Sequence, residues 1–194
     1  MAPGEPPMDL GFMLQPKLSA THTFLDAPAL DVLLVPGGFG TVALQQANDT
    51  DIPTFLRNRF GSLEYLLSVC TGSALVAASG LLDGRRATTN KRAWASVTGQ
   101  APNVKWVPSA RWTEDGKIWT SSGVASAGID MMYAFLKHLY GEDDAVLATT
   151  MNGIEYAPHT DPSWDPFSIV HDVPGRTNGS LESCVRPVGF DAAA

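Results

Sequence analysis

Apolar residues arrive along this chain in two rhythms: short unbroken runs that end in glycine or proline, and longer stretches that recur every third or fourth residue. Residues 30–38 (Leu-Asp-Val-Leu-Leu-Val-Pro-Gly-Gly) belong to the first kind, a partly β-branched run stopped by Pro36, Gly37 and Gly38. That is the pattern of a buried parallel strand entering a tight loop. Residues 64–70 repeat it and end on Cys70. Between the two, Ile52, Phe55, Leu56 and Phe60 fall near helical spacing behind Asp49 and Asp51, which suit a helix start. Residues 71–79 are small and helix-compatible, closing at Gly80. Strand and helix are predicted at 85–89 and 91–97, then strands at 104–107, 110–113 and 117–121. The last two join through Glu114-Asp115-Gly116, whose Asp-Gly pair supplies hairpin chemistry. Ile129, Met132, Tyr133, Leu136 and Leu139 mark a long helix from Ser126 to a stop at Gly141, and residues 142–156 a second one. Pro158, Pro162, Pro166 and Pro174 then oppose further regular structure. Strands alternating with helices predict a three-layer α/β sandwich with a mostly parallel sheet.

With 194 residues the chain can bury one proper core. The expected organisation is a mostly irregular segment at 1–28, a single domain at 29–157, and a wrapping loop with a loose tail at 158–194. Five of the fourteen prolines lie in the first segment. Thirteen basic against twenty acidic side chains leave a net charge of −7, which repels phosphate backbones and anionic lipid, so no nucleic-acid or membrane partner is expected. No run approaches the roughly 18 apolar residues of a membrane helix. The opening residues lack the basic and apolar parts of a signal peptide, and a soluble cytoplasmic protein is predicted. Two cysteines, Cys70 and Cys184, are too few for a disulfide framework.

Cys70 sits where a buried strand gives way to a helix, the mechanical arrangement of the serine elbow in α/β-hydrolases. A helix N-terminus there favours thiolate, the nucleophilic form. Composition alone leaves the alternative of a buried structural cysteine. Gly37 and Gly38 would let backbone donors approach a ligand without Cβ obstruction, or form an ordinary tight turn. Thr71 could offer its N–H to the same site, or cap the following helix with its hydroxyl. His159, Asp161 and Asp165 match no ordered ligand spacing and read as a solvated acidic loop, so no metal is predicted. His22, His138 and His171 are isolated, and His138 reads as a helix-end residue. Trp94, Trp106, Trp112, Trp119 and Trp164 are expected mostly to pack, and Cys184 to be an exposed bystander. Gly37-Gly-Phe-Gly40 is neither a dinucleotide fingerprint nor a phosphate loop, and no cofactor is implied.

The segments Val35-Pro-Gly-Gly38, Ser68-Val-Cys-Thr-Gly-Ser73, Ala78-Ser-Gly-Leu-Leu-Asp-Gly-Arg-Arg-Ala-Thr-Thr89 and Ser121-Ser-Gly-Val-Ala-Ser-Ala-Gly-Ile-Asp130 resemble, in order and spacing, the ThiJ/PfpI family of the class I glutamine amidotransferase-like superfamily. The resemblance covers about residues 20–157. It is closest to isonitrile hydratase-like proteins of fungi, whose tails resemble Glu155-Tyr156 through Asp161-Pro-Ser-Trp-Asp-Pro-Phe167. It implies a flavodoxin-like fold, a homodimer and a small-molecule substrate. It also implies that Cys70 is the nucleophile, with Thr71 and Gly37 or Gly38 as oxyanion donors. The activity implied is addition of water to an isonitrile, giving an N-substituted formamide. The resemblance implies that the family's acid near its first strand has no counterpart here, the chain being expected to start after the first strand, helix and second strand. Loss of that strand is expected to leave an unpaired gap in the sheet. Asn90 stands where many members carry His, which, with the missing acid, weakens a glyoxalase- or deglycase-like reading; an amidase-like member is a further alternative. A thiol sensor, a truncated inactive homologue and the regulatory domain of a transcription factor are the remaining alternatives. Asp130 is read as structural.

Overall fold

The computed structural model describes residues 19–123 and 125–178. Its central sheet has the order β1-β2-β6-β5, built from β1 (Val32–Val35), β2 (Tyr65–Val69), β6 (Ile118–Ser121) and β5 (Trp112–Asp115). β1, β2 and β6 run parallel, and β5 returns antiparallel to β6 through the predicted Asp115-Gly116 hairpin. Side chains alternate across the sheet as a period of two requires. Leu66 and Ile118 enter one core cluster with Val35, Leu56, Leu75, Val76 and Leu82. Their neighbours Leu67 and Trp119 enter the other with Trp112, Met131 and Phe135.

Helices cover both faces. On the first lie α1 (Gly40–Gln46), α2 (Asp51–Arg59) and α3 (Gly72–Ala78). On the second lies α5 (Ser126–Tyr140), backed by α6 (Ala145–Gly153). The three-layer α/β sandwich is therefore the observed architecture. A separate parallel pair, β3 (Arg86–Ala87) and β4 (Lys105–Trp106), flanks it, with α4 (Trp94–Thr98) between them in sequence. A buried threonine cluster ties that pair to the main sheet: Thr88 N donates to Thr120 Oγ1 at 2.7 Å, and Thr120 Oγ1 meets Thr113 Oγ1 at 2.8 Å.

Four expectations are corrected. The Gly-Gly loop leads directly into α1, which its weak apolar pattern concealed. The strand expected at 110–113 lies two residues later because the chain before it turns to meet Pro162, whose carbonyl accepts the Arg111 N–H at 2.8 Å. The sheet has no internal gap among the described residues: β1 pairs with β2 and lies at an edge, with Val32 and Leu34 exposed. The prolines of 158–178 admit one more helical turn, α7 (Phe167–Val170), and the segment packs as a strap that buries Trp164, Asp165, Ser168 and Val173. Most of the 1–28 segment, the 179–194 tail and Cys184 lie outside the described residues.

Candidate active site

Cys70 follows the last residue of β2 with φ at 58°, a left-handed backbone that non-glycine residues rarely adopt. Its surroundings fix that conformation. Cys70 N donates to Ser121 O at 3.0 Å, and Cys70 O accepts from Ser73 Oγ at 3.0 Å and from Thr89 Oγ1 at 3.3 Å. Ser73 Oγ and Thr89 Oγ1 lie 2.8 Å apart, closing a buried triangle behind the elbow. Two glycines permit the neighbouring loop to press against it. A Cβ on Gly37 would lie 2.6 Å from Thr71 N and 2.9 Å from Cys70 Cβ, and one on Gly72 would lie 2.3 Å from Val35 O. Neither position can carry a side chain without moving backbone.

Thr71 resolves its two sequence readings in a third way. It starts α3 without a side-chain cap, and its hydroxyl accepts the Gly38 N–H at 2.9 Å and the Thr41 hydroxyl at 3.1 Å. The Gly38 donor is thus engaged by Thr71, while Gly37 packs directly on the elbow. The four expected site residues Gly37, Gly38, Cys70 and Thr71 are brought together at the carboxyl edge of the parallel strands. That is where ligands bind in open α/β sheets.

Cys70 is 6% exposed. Beside it opens a cavity of about 290 Å³ lined by Asn90, Lys91, Ser122, Ser126, Asp165 and Phe167 among others. Cys70 is not among the lining residues, but Asn90 and Ser122 directly follow Thr89 and Ser121, the residues that hold its backbone. Asn90 Oδ1 accepts the Ala93 N–H at 3.1 Å and so opens the turn into α4.

The floor of this cavity is ionic, which sequence reasoning missed. Asp165 is 1% exposed and not part of a solvated loop: it accepts from the Ser122 hydroxyl and, at 3.0 Å, from Phe167 N. Arg111 stands between two buried carboxylates, with Nε 2.6 Å from Asp130 Oδ2 and Nη1 3.9 Å from Asp165 Oδ1. Asp130 is fully buried and structural, as read, its other oxygen accepting from Tyr156 Oη and His159 N at 2.9 Å each. Burial, then the bond to Asp130, pushes the Tyr156 phenol up to about 12. Lys91, 3% exposed, donates to Ala110 O at 2.7 Å and to Thr88 Oγ1 at 2.8 Å. Burial pushes its ammonium down to about 7 against the opposing pull of Asp165. His138, at the end of α5, meets Tyr65 Oη at 2.9 Å on the far side of the molecule's second core.

The DJ-1/PfpI family model matches residues 12–138, which contain both the Gly37-Gly38 loop and the Cys70 elbow. The chain belongs to the DJ-1/PfpI family. An isonitrile hydratase of Pseudomonas putida is 36% identical over 172 residues, 86% of this chain and 72% of its own length. The transcriptional regulator GbdR of Pseudomonas aeruginosa is 31% identical over 118 residues, 61% of this chain and 31% of its own. Among solved structures, a THiJ/PfpI family protein from Pseudomonas syringae superimposes with a TM-score of 0.60 at 31% identity, covering 76% of this chain and 58% of that one. The chain therefore spans less than two thirds of that relative. These relatives are bacterial, so the fungal affinity expected from the tail finds no support among them. Among the described residues no helix is long and apolar enough to cross a membrane.

Proposed function

We propose that this DJ-1/PfpI family member is a cysteine enzyme that hydrates isonitriles. The observation carrying this reading is its 36% identity, over 86% of the chain, to an isonitrile hydratase. The site supports it with a thiol at a strained strand-to-helix corner. The Cys70 sulfur adds to the terminal carbon of R–N≡C and the proton of the thiol ends on that carbon, giving the thioimidate S–CH=N–R. Water then adds at the same carbon, the C–S bond breaks, and R–NH–CHO leaves while the thiol is regenerated. In this reading Thr71 N–H and Gly37 N–H face the charge that develops during water addition, and Gly38 acts by tethering the Thr71 hydroxyl.

Cys70→Ala removes the sulfur that makes the thioimidate in this mechanism. It is expected to abolish formamide production from a simple alkyl isonitrile, followed by chromatography, with the fold intact by circular dichroism. Turnover unchanged in Cys70→Ala refutes the mechanism. One observation favours a second reading, a thiol sensor without turnover: Asp130 and Asp165, the buried carboxylates beside the cleft, are already committed to Arg111, Tyr156 and Ser122. Sulfinate formation at Cys70 under mild peroxide with no hydration of any isonitrile tested would select it.

A further inference from the structure

We propose that Lys91 is a positioning residue for Cys70, its ammonium fixing the Thr88-Thr89 corner against which the strained elbow rests. This rests on the reading of Cys70 as the reacting thiol. The connection is a continuous set of contacts. Lys91 Nζ donates to Thr88 Oγ1 at 2.8 Å and to Ala110 O at 2.7 Å. Thr88 Oγ1 lies 3.2 Å from the carbonyls of Val107 and Ala110, to which it gives its own hydrogen, so toward Lys91 it is an acceptor. Thr88 N is anchored on Thr120, and the next residue, Thr89, donates to Cys70 O at 3.3 Å. Lys91 is thus two residues from the group that holds the Cys70 carbonyl.

An ammonium makes stronger bonds to these oxygens than a neutral amine does. Cys70 is sensitive to the difference because its φ of 58° persists only while its surroundings impose it. The charged groups around Lys91 are few. Asp165 on the strap attracts it, and Arg111 lies beyond, occupied by Asp130 and Asp165. Arg92 on the same loop is exposed, and His171, following α7 on the strap, lines the same cavity as Lys91 and Asp165. Against the amine packs the uncharged Trp94 ring, whose centroid is 4.9 Å from Nζ. Lys91 releases its proton at about pH 7, so the brace loosens within the neutral range.

The test follows the rate at which hydrogen peroxide consumes the Cys70 thiol, read by mass spectrometry of its peptide across the neutral range. Besides the rise from the thiol's own ionisation, the native protein is expected to show a severalfold increase centred near pH 7 as the elbow loosens. Lys91→Arg keeps the charge at every pH and Lys91→Met never carries it, so both lose this inflection. Asp165→Asn keeps Lys91 and moves the inflection down by about one pH unit. A native profile that traces thiol ionisation alone, or an inflection that survives in either folded Lys91 variant or stays in place in Asp165→Asn, overturns the proposal. If one variant fails to fold, the other two decide. No isonitrile enters the measurement, so absence of hydratase activity and absence of the brace are separate results.

Discussion

Lys91 brings a cation into the interior, and the sign of its effect on stability follows from where its proton is lost. In the unfolded chain the amine keeps its proton up to about 10.5, whereas in the fold burial releases it at about 7. Between these values the unfolded state binds more protons, so this group makes stability rise with pH from about 7 to about 10.5 and lowers it as pH falls across that window, with no further change below it. Lys91→Met removes that dependence. Relative to the native protein, the variant is expected to gain on the order of 3–5 kcal/mol between alkaline and mildly acidic pH, measured by urea unfolding at both. Parallel pH curves for the two proteins would show that Lys91 titrates normally. Gly37 makes a second prediction at this scale. A Cβ there would lie 2.8 Å from Val69 O and closer still to Thr71 N, so Gly37→Ala must push the two loops apart. The expected cost is about 1–3 kcal/mol in unfolding free energy, together with altered thiol reactivity at Cys70. An alanine accepted with neither change would contradict the close approach.

At the level of elements, what the sequence revealed depended on whether a segment's burial was written locally. The runs 30–38 and 64–70 emerge as β1 and β2; helices cover β2 on both faces, whereas β1, at the edge, turns Val35 into the core and leaves Val32 and Leu34 exposed. Helix α5 ends at Gly141 as its spacing predicts, and the Cys70 elbow was legible because a strand ends there and small residues follow. The strap was not legible. Asp165 lies among prolines and other polar residues, and nothing nearby in sequence announces the Ser122 hydroxyl or the Arg111 guanidinium that receive it. Lys91 was hidden for the same reason, since its partners Thr88 and Ala110 are gathered by the tertiary fold. Asp165→Ala is therefore expected to cost about 1–3 kcal/mol, more than a surface acid, because it leaves the buried Ser122 hydroxyl and the Phe167 N–H without their acceptor and removes one of the two carboxylates at Arg111. It should also open the strap, so subtilisin would cut within 158–178 faster than in the native protein. Unchanged cleavage would mean that the strap is held elsewhere.

Across the whole molecule the sheet predicts a gradient of tolerance from centre to edge. Leu67, at 0% exposure in the middle strand, packs against Trp119, Met131 and Phe135, whereas Leu34 on the edge strand is 44% exposed. Leu67→Ala should lower the unfolding free energy by about 2–5 kcal/mol, and Leu34→Ala by about 1 kcal/mol or less. Equal losses would refute the strand order. The same layout bears on when the elbow can come into being. Its supports come from the turn at Gly37, the helix start at Ser73, the corner at Thr89 and the end of β6 at Ser121, segments separated by long stretches of chain. A nascent or refolding polypeptide cannot assemble that cage piecemeal, so shielding of the sulfur becomes an internal clock that strikes only once distant parts of the chain have met.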